Sequence, residues 1–352
     1  MAAAGREYRR SETEEVGVAT EPEASGAPPS LAARVLQPQT LISFGLALAI
    51  GLFFFRRLDV DAGAVWSNAR QANLLVYSLA FAVFYLGFIL RAARWRAMLV
   101  RAGISAAHGY CVPGTRGLIE IYLLSWFANC IVPAKLGDAY RSYLLKRSSR
   151  APFSIGIGTI LAERLIDLAV LVLTMFGAAA VVFGRHQPTQ ATRAFVGGAA
   201  LIVIGITGVA AMWMLRSRME GWLPGRVRQQ YVRLHDAVFA SLRKPSGFIA
   251  ISLIVWLSEG LRLFLVATAL GAGITPSTAL FVALLSSLLT AIPITPAGLG
   301  IVEGAMVVML ALVDVNVSLA ASVALMDRVV GYWSLVVVGL VLYVRRLRQD
   351  IV

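Results

Sequence analysis

Eight ionisable side chains lie inside stretches that are otherwise apolar enough to cross a bilayer: Glu163, Arg164, Asp167, Glu259, Arg262, Glu303, Asp327 and Arg328. Insertion scales put a charge at the centre of a membrane helix at about +2.5 to 3.5 kcal/mol, and more when it is isolated in lipid. So many charges must therefore pair with one another or face water. Glu163 and Asp167 are spaced i,i+4, and Glu259 and Arg262 i,i+3, which places each set on one helix face. Two chemistries fit. The charges are buried ion pairs that hold helix register, or they line a polar cavity. In a cavity, Arg164, Arg262 and Arg328 would meet the phosphate of a headgroup. The carboxylates, Glu163, Asp167, Glu259, Glu303 and Asp327, would balance charge or carry protons.

Two interrupted apolar segments must position these groups. The first, 117–132, runs on through FANCIVPAKLGDAYR, where Asn129 can satisfy backbone freed by a turn and Pro133 and Gly137 permit the break. Asp138 suits the N-cap of the next helix, and its carboxylate joins the charge-balancing set. Lys135 and Arg141 place two cations beside that helix start, whose dipole favours an anion. This is a phosphate site or an ordinary basic loop at the lipid headgroups. The second segment, 276–313, is broken by IPITPAGLGIVEG, with Pro293, Pro296, Gly298 and Gly300 as helix breakers. Glu303 falls in the first turn of the helix that follows, as a cap or as partner to an intramembrane arginine.

The remaining composition sets the scaffold. The 352 residues are 58% hydrophobic and 14% charged, with net charge +13, and the mean hydropathy is +0.75. Such a chain is an all-α polytopic membrane protein. Six segments are long enough to span: 39–55, 73–91, 153–183, 194–215, 248–271 and 318–344. Basic residues concentrate in 91–116, 135–150, 216–244 and 345–352, which places these loops, and both termini, in the cytoplasm. With that parity 117–150 is a re-entrant hairpin, and 276–313 is a second one or two short crossings. Residues 1–38, acidic and rich in Ala, Gly and Pro, read as a disordered cytoplasmic tail, and 345–352 as a basic one. The stretch RAARWRAMLVR (91–101) reads as a stop-transfer end or a snorkelling lipid contact. The loop 216–244 reads as an amphipathic basic helix at the membrane face. Cys111 and Cys130 form no disulfide framework, and the three histidines form no metal-ligand pair, so neither metal nor cofactor is expected. No phosphate-binding loop, nucleophile elbow or catalytic-sized loop is present, which argues against an enzyme. The basic excess marks topology and implies no nucleic acid.

The broken segments resemble each other. Pro133-Ala134-Lys135-Leu136-Gly137 is matched by Pro296-Ala297-Gly298-Leu299-Gly300, and LLS precedes both. Glu163-Arg164 follows Gly137 by 26 and 27 residues, and Asp327-Arg328 follows Gly300 by 27 and 28. Upstream, Arg91 closes one span and Arg262 lies late in its counterpart. The expected organisation is one membrane domain, 39–344, with repeat 1 at 39–183 and repeat 2 at 194–344. Each has three spans, so the second is inverted, a common transporter plan.

Asn129, Pro133, Gly137-Asp138 and Arg141, then Glu163-Arg164 and Asp167, then Pro293, Pro296, Gly298-Leu299-Gly300 and Glu303, resemble the membrane region of lysylphosphatidylglycerol synthases and their stand-alone flippase-like relatives. The resemblance covers about 40–344. It implies a lipid-translocating body in the cytoplasmic membrane, with two re-entrant elements and membrane lipids, anionic ones foremost, as partners. The soluble aminoacyltransferase of the full synthases has no counterpart here, so aminoacyl-lipid synthesis is not carried over. The alternatives are an intramembrane lipid-modifying transferase and a non-transporting partner of a lipid or envelope synthase.

Overall fold

A computed structural model describes residues 38–57, 60–132, 136–184, 189–290 and 295–351. The expected tail, apart from Pro38, lies outside the described residues, as do Pro133, Lys135 and Pro293. Every regular element among the described residues is a helix. In chain order these are α1 (Pro38–Arg57), α2 (Ala62–Gln71), α3 (Leu74–Arg101), α4 (Thr115–Ile131), α5 (Gly137–Ser149), α6 (Phe153–Phe183) and α7 (Thr189–Met214). Then follow α8 (Arg216–Trp222), α9 (Gly225–Leu242), α10 (Ser246–Ala269), α11 (Pro276–Leu289), α12 (Ile301–Ala311), α13 (Val317–Arg328) and α14 (Ser334–Ile351). The protein is a polytopic all-α membrane protein.

The centre of the bundle is the pair α3 and α10. The Asn73 N–H donates to Ala269 O at one end of the pair. At the other, Arg101 Nη1 donates to the carbonyls of Arg243 and Lys244, just before α10 begins. The two helices therefore run antiparallel along their length, the geometry that an inverted pair of equivalent spans requires. Tyr77, Phe84, Phe88, Arg91, Trp95 and Met98 make one buried stripe of α3 at helical period. The expected end of this span at residue 91 is corrected: the helix runs on to Arg101. Arg91 and Arg94 share the buried stripe with Phe88 and Trp95, while Arg96 and Arg101 are exposed.

Both breaks are seen. The α5 start folds back on the last turns of α4, where the Gly137 N–H donates to Asn129 Oδ1 at 2.8 Å. A Cβ on Gly137 would stand 2.1 Å from the Ser125 carbonyl oxygen, so only glycine allows this approach. After α11, a short 3₁₀ turn, Pro296–Gly298, leads into α12. Gly298 and Gly300 there take φ of +72° and +83°, and a Cβ on Gly300 would stand 2.7 Å from Ala47 O of α1. The last expected span, 318–344, is α13 and α14 joined through a π turn, Val329–Trp333.

Two surface elements differ in their setting. Helix α7 keeps Val196, Val203, Ile204, Ile206 and Trp213 exposed, as a lipid-facing span must. Helix α9, expected on the membrane face, instead turns His235, Ala237, Val238 and Ser241 inward and packs on α6. Gly158 of α6 makes that docking close, since a Cβ there would lie 2.6 Å from Leu234 O.

The α4–α5 fold-back yields a stability prediction. Gly137→Ala forces the two helices apart and should cost about 1–3 kcal/mol, seen as a lowered thermal midpoint of the detergent-solubilised protein. Gly45→Ala, with nothing within 4 Å of its Cβ, should leave the midpoint unchanged. Equal midpoints for the two variants would contradict this packing.

Candidate functional site

The first-half charges form a closed network. Arg94 grips Asp167 with both Nη atoms, with Nη2 at 2.8 Å from Oδ2, and also reaches Ser252 Oγ. Its Nη2 lies 3.3 Å from Glu163 Oε1. Arg141 donates to both Glu163 oxygens, at 3.1 and 2.8 Å, and the Tyr122 hydroxyl donates to Oε1 at 2.6 Å. The Arg141 guanidinium lies between the Trp95 and Tyr122 rings, 3.9 and 3.8 Å from their centroids. Such stacking adds a cation–π attraction that is strongest where water is excluded. Arg164 makes a two-pronged contact with Asp138, at 3.0 and 2.8 Å, tying α6 to the fold-back helix α5.

A second network joins the halves. Arg91 Nη2 donates to Glu259 Oε1 at 2.6 Å across the α3–α10 seam. Arg262 Nη2 stands 3.3 Å from both Glu259 Oε2 and Asp327 Oδ2. Arg328 Nε is 2.8 Å from Glu303 Oε1, tying α13 to α12. Glu303 Oε2 also accepts the Gly300 N–H at 2.7 Å, so Glu303 is both cap and arginine partner. Together six arginines (Arg91, Arg94, Arg141, Arg164, Arg262, Arg328) face six acids (Asp138, Glu163, Asp167, Glu259, Glu303, Asp327).

Between the two breaks lies a cavity of about 430 Å³, lined by Asn129, Asp138, Arg164, Asp167, Glu259, Arg262, Asp327 and Arg328, and by Ser286, Ser287, Thr290 and Thr295. Trp126, Trp256, Phe84 and Leu171 supply its apolar wall. Of the expected phosphate-binding residues, Arg164, Arg262 and Arg328 reach this cavity. Arg141 does not line it: it is fully buried against Glu163. Asp138, Asp167, Glu259 and Asp327 line it, whereas Glu163 lies behind it and Glu303 anchors Arg328 from outside. Pro296, at the second break, lines the cavity as Asn129 does at the first, while Gly137, Gly298 and Gly300 serve the turns.

Arg91 and Arg94 were not among the charges expected inside the membrane. A count of charges near 91–101 ends the span there, but the helical phase of the stripe would have kept both residues inside. The correspondence also shifts: Arg94 rather than Arg91 is the counterpart of Arg262. Each meets the acid of the acid–Arg pair in its own half, Glu163 or Asp327, at 3.3 Å.

A broken-helix cavity lined by paired charges thus lies inside an apolar, multi-pass helical bundle. The chain belongs to the family of the lysylphosphatidylglycerol synthase TM region, which it matches over residues 41–339. It is similar to the UPF0104 membrane protein MJ1078 of Methanocaldococcus jannaschii, with 31% identity over 62% of this chain and 93% of the relative. A UPF0104 membrane protein of Methanothermobacter thermautotrophicus is 24% identical over 80% of this chain and 88% of its own. Glycosyltransferase AglD of Haloferax volcanii is 25% identical over 84% of this chain, which spans 53% of that protein.

The Arg91–Glu259 pair can be tested alone. Glu259→Gln leaves the buried Arg91 without its carboxylate, at a cost of about 3–5 kcal/mol, whereas Arg91→Gln leaves Glu259 with Arg262 and should cost less. The double variant strands neither of the two and should recover part of the loss in thermal midpoint. Additive losses would mean the pair is not coupled.

Proposed function

We propose that the protein translocates a lipid across the cytoplasmic membrane, with both termini on the cytoplasmic side. The substrate is an anionic phospholipid or a polyprenyl-linked lipid. Its headgroup passes through the polar cavity while its chains stay in the bilayer. The observation that carries this reading is the cavity itself, where three arginines and four acids meet between two helix breaks. Irregular backbone at such depth is tolerated only where it is buried in protein or lines a water-filled cavity, and transporters place substrate sites at such broken helices. Membership in a family named for a lipid synthase's membrane region supports a lipid as the cargo.

In this reading the protein makes and breaks no covalent bond. The headgroup trades its hydration shell for guanidinium groups already held by carboxylates, so little reorganisation is needed. The Arg164–Asp138 and Arg328–Glu303 pairs each tie a break-forming helix to a span, which makes them the contacts that must loosen for a headgroup to pass. A second reading is a membrane partner of a lipid-modifying transferase. It is favoured by the similarity to a protein named as a glycosyltransferase, of which this chain spans only about half.

Reconstitution decides between them. Liposomes holding the purified protein should expose fluorescent phosphatidylglycerol or a labelled polyprenyl phosphate to an external quencher faster than protein-free liposomes. Arg164→Gln combined with Asp138→Asn should slow the exchange. No acceleration with either lipid, with or without a pH gradient, would overturn the translocase reading for these substrates and favour the partner reading.

A further inference from the structure

The two halves do not treat their arginines alike. In the first half the arginine that lines the cavity, Arg164, is held by a two-pronged carboxylate, Asp138; Arg94, gripped by Asp167, lies behind the cavity wall, with its buried Nε unpartnered. In the second half Arg262 has only two 3.3 Å contacts, both through Nη2, and its Nε has no hydrogen-bond partner among the described residues. Arg262 is nine-tenths buried. Arg328 Nη2 likewise has no partner, and its Nε, though close to Glu303, is not in hydrogen-bond geometry. Both arginines line the cavity.

The sequence explains the difference. Asp167 follows Arg164 by three residues, and the residue three after Arg328 is Gly331. Where the first half supplies a carboxylate to its inner arginine, the second supplies no side chain at all. A Cβ on Gly331 would lie 2.2 Å from Arg262 Nη1, so the guanidinium lies against bare backbone. The π turn, Val329–Trp333, sets this glycine at the cavity wall. Buried guanidinium atoms without partners cost free energy unless something satisfies them.

We propose that Arg262 and Arg328, beside Gly331, form a binding site for one phosphate monoanion, and that the anion enters together with one proton, which Asp327 receives. The proposal rests on the translocation reading and names its headgroup chemistry. The proton follows from charge balance. Among the described residues six arginines already face six acids, so an added anion leaves that set one negative charge in excess, which a low-dielectric interior disfavours. Asp327 Oδ1 is buried, lies at the cavity and has no hydrogen-bond partner among the described residues. The groups facing Asp327 are Arg262 and Glu259 of α10, Glu303 of α12, Tyr77 of α3, and Arg328 on its own helix. As the phosphate takes over Arg262 and Arg328, Asp327 loses its two cationic neighbours, and its freed oxygen can bond a proton drawn from water in the cavity. No bond to phosphorus changes.

Linkage gives the sign: if binding takes up a proton, affinity falls as pH rises. The test uses the full chain in detergent micelles and calorimetric titration with dihexanoyl phosphatidylglycerol, or with inorganic phosphate alone. Running each titration in two buffers of different ionisation enthalpy gives the proton count. About one proton should be taken up per bound phosphatidylglycerol, whose phosphodiester is a monoanion throughout; with inorganic phosphate, titrated at about pH 5 where it too is the monoanion, the same count is expected. Arg328→Gln should weaken binding about tenfold or more. Gly331→Asp, which restores the first-half carboxylate, should abolish binding, and Asp327→Asn should bind with no proton uptake. Thermal midpoints check folding, and if Gly331→Asp misfolds, Arg328→Gln and Asp327→Asn still decide. Binding of the lipid alone assigns the site to a headgroup, and equal binding of inorganic phosphate assigns it to the free ion. Failure of both probes to bind, binding indifferent to Arg328→Gln, or binding without proton uptake overturns the site. Liposome transport that persists in Arg328→Gln would overturn this site while leaving translocation standing. Proton-linked binding without transport would do the reverse.

Discussion

Everything in this bundle answers to the expense of holding eight buried charged side chains, and four partly exposed ones, in an apolar bundle. A carboxylate or guanidinium taken from water loses several kcal/mol of solvation even after relaxation. The fold recovers this only by setting each charge against an opposite one in good geometry. That requirement fixes where helices can go. Arg91 and Glu259 hold α3 to α10, Arg94 and Asp167 hold α3 to α6, and Asp138 and Arg164 hold α5 to α6. Glu303 and Arg328 do the same for α12 and α13. Lipid gives helices no hydrophobic reason to associate with one another, so these pairs, with close glycine contacts such as Gly137 and Gly260, take over much of the role that an apolar core has in water.

The same accounting separates scaffold from site. Arg141, held by Glu163, Trp95 and Tyr122, is fully buried and does not line the cavity. Arg164 faces the cavity but is bound to Asp138 at both prongs. Arg262 and Arg328 carry charge without full satisfaction. Among the arginines that line the cavity, the least satisfied, Arg262 and Arg328, lie together in the second half. Pre-paired arginines still attract an anion, but the anion must compete with a carboxylate that is already in place.

Much of this was readable from residue type and spacing. The helix breakers at Asn129, Gly137, Pro296 and Gly300 announced both breaks, because glycine and proline inside apolar runs have few other uses. The acid–Arg pairs at 163–164 and 327–328 announced the buried charge. The continuation of α3 was harder to see, since four arginines between 91 and 101 look like the end of a span. Only their phase, with Arg91 and Arg94 on the stripe of Phe88 and Trp95, tells buried from exposed. Partner choice was not readable at all. Whether Arg141 turns to the cavity or to Glu163 depends on how α5 folds back, a long-range consequence of the Asn129–Gly137 contact. The docking of α9 on α6 likewise depends on Gly158, whose role appears only once the two helices meet.

The departure from symmetry between the halves carries the functional meaning. Two equivalent networks would hold an entering headgroup equally and give it no preferred resting place. Gly331 stands where the first half has Asp167, and Gly304, four residues after Gly300, stands where it has Arg141, four after Gly137, so one acid and one arginine are missing from the second half. The net charge is unchanged, but the remaining groups are less completely paired. Gly304 is buried, so its place is closed by packing, whereas the place of a side chain at Gly331 is taken by the Arg262 guanidinium. The unpartnered donors of the second half, on Arg262 and Arg328, stand at the cavity wall, whereas those of the first half, on Arg91, Arg94 and Arg141, lie away from it. Under the proposed translocation, this contrast across the Arg91–Glu259 seam would give one repeat a more fully paired cavity wall to move against.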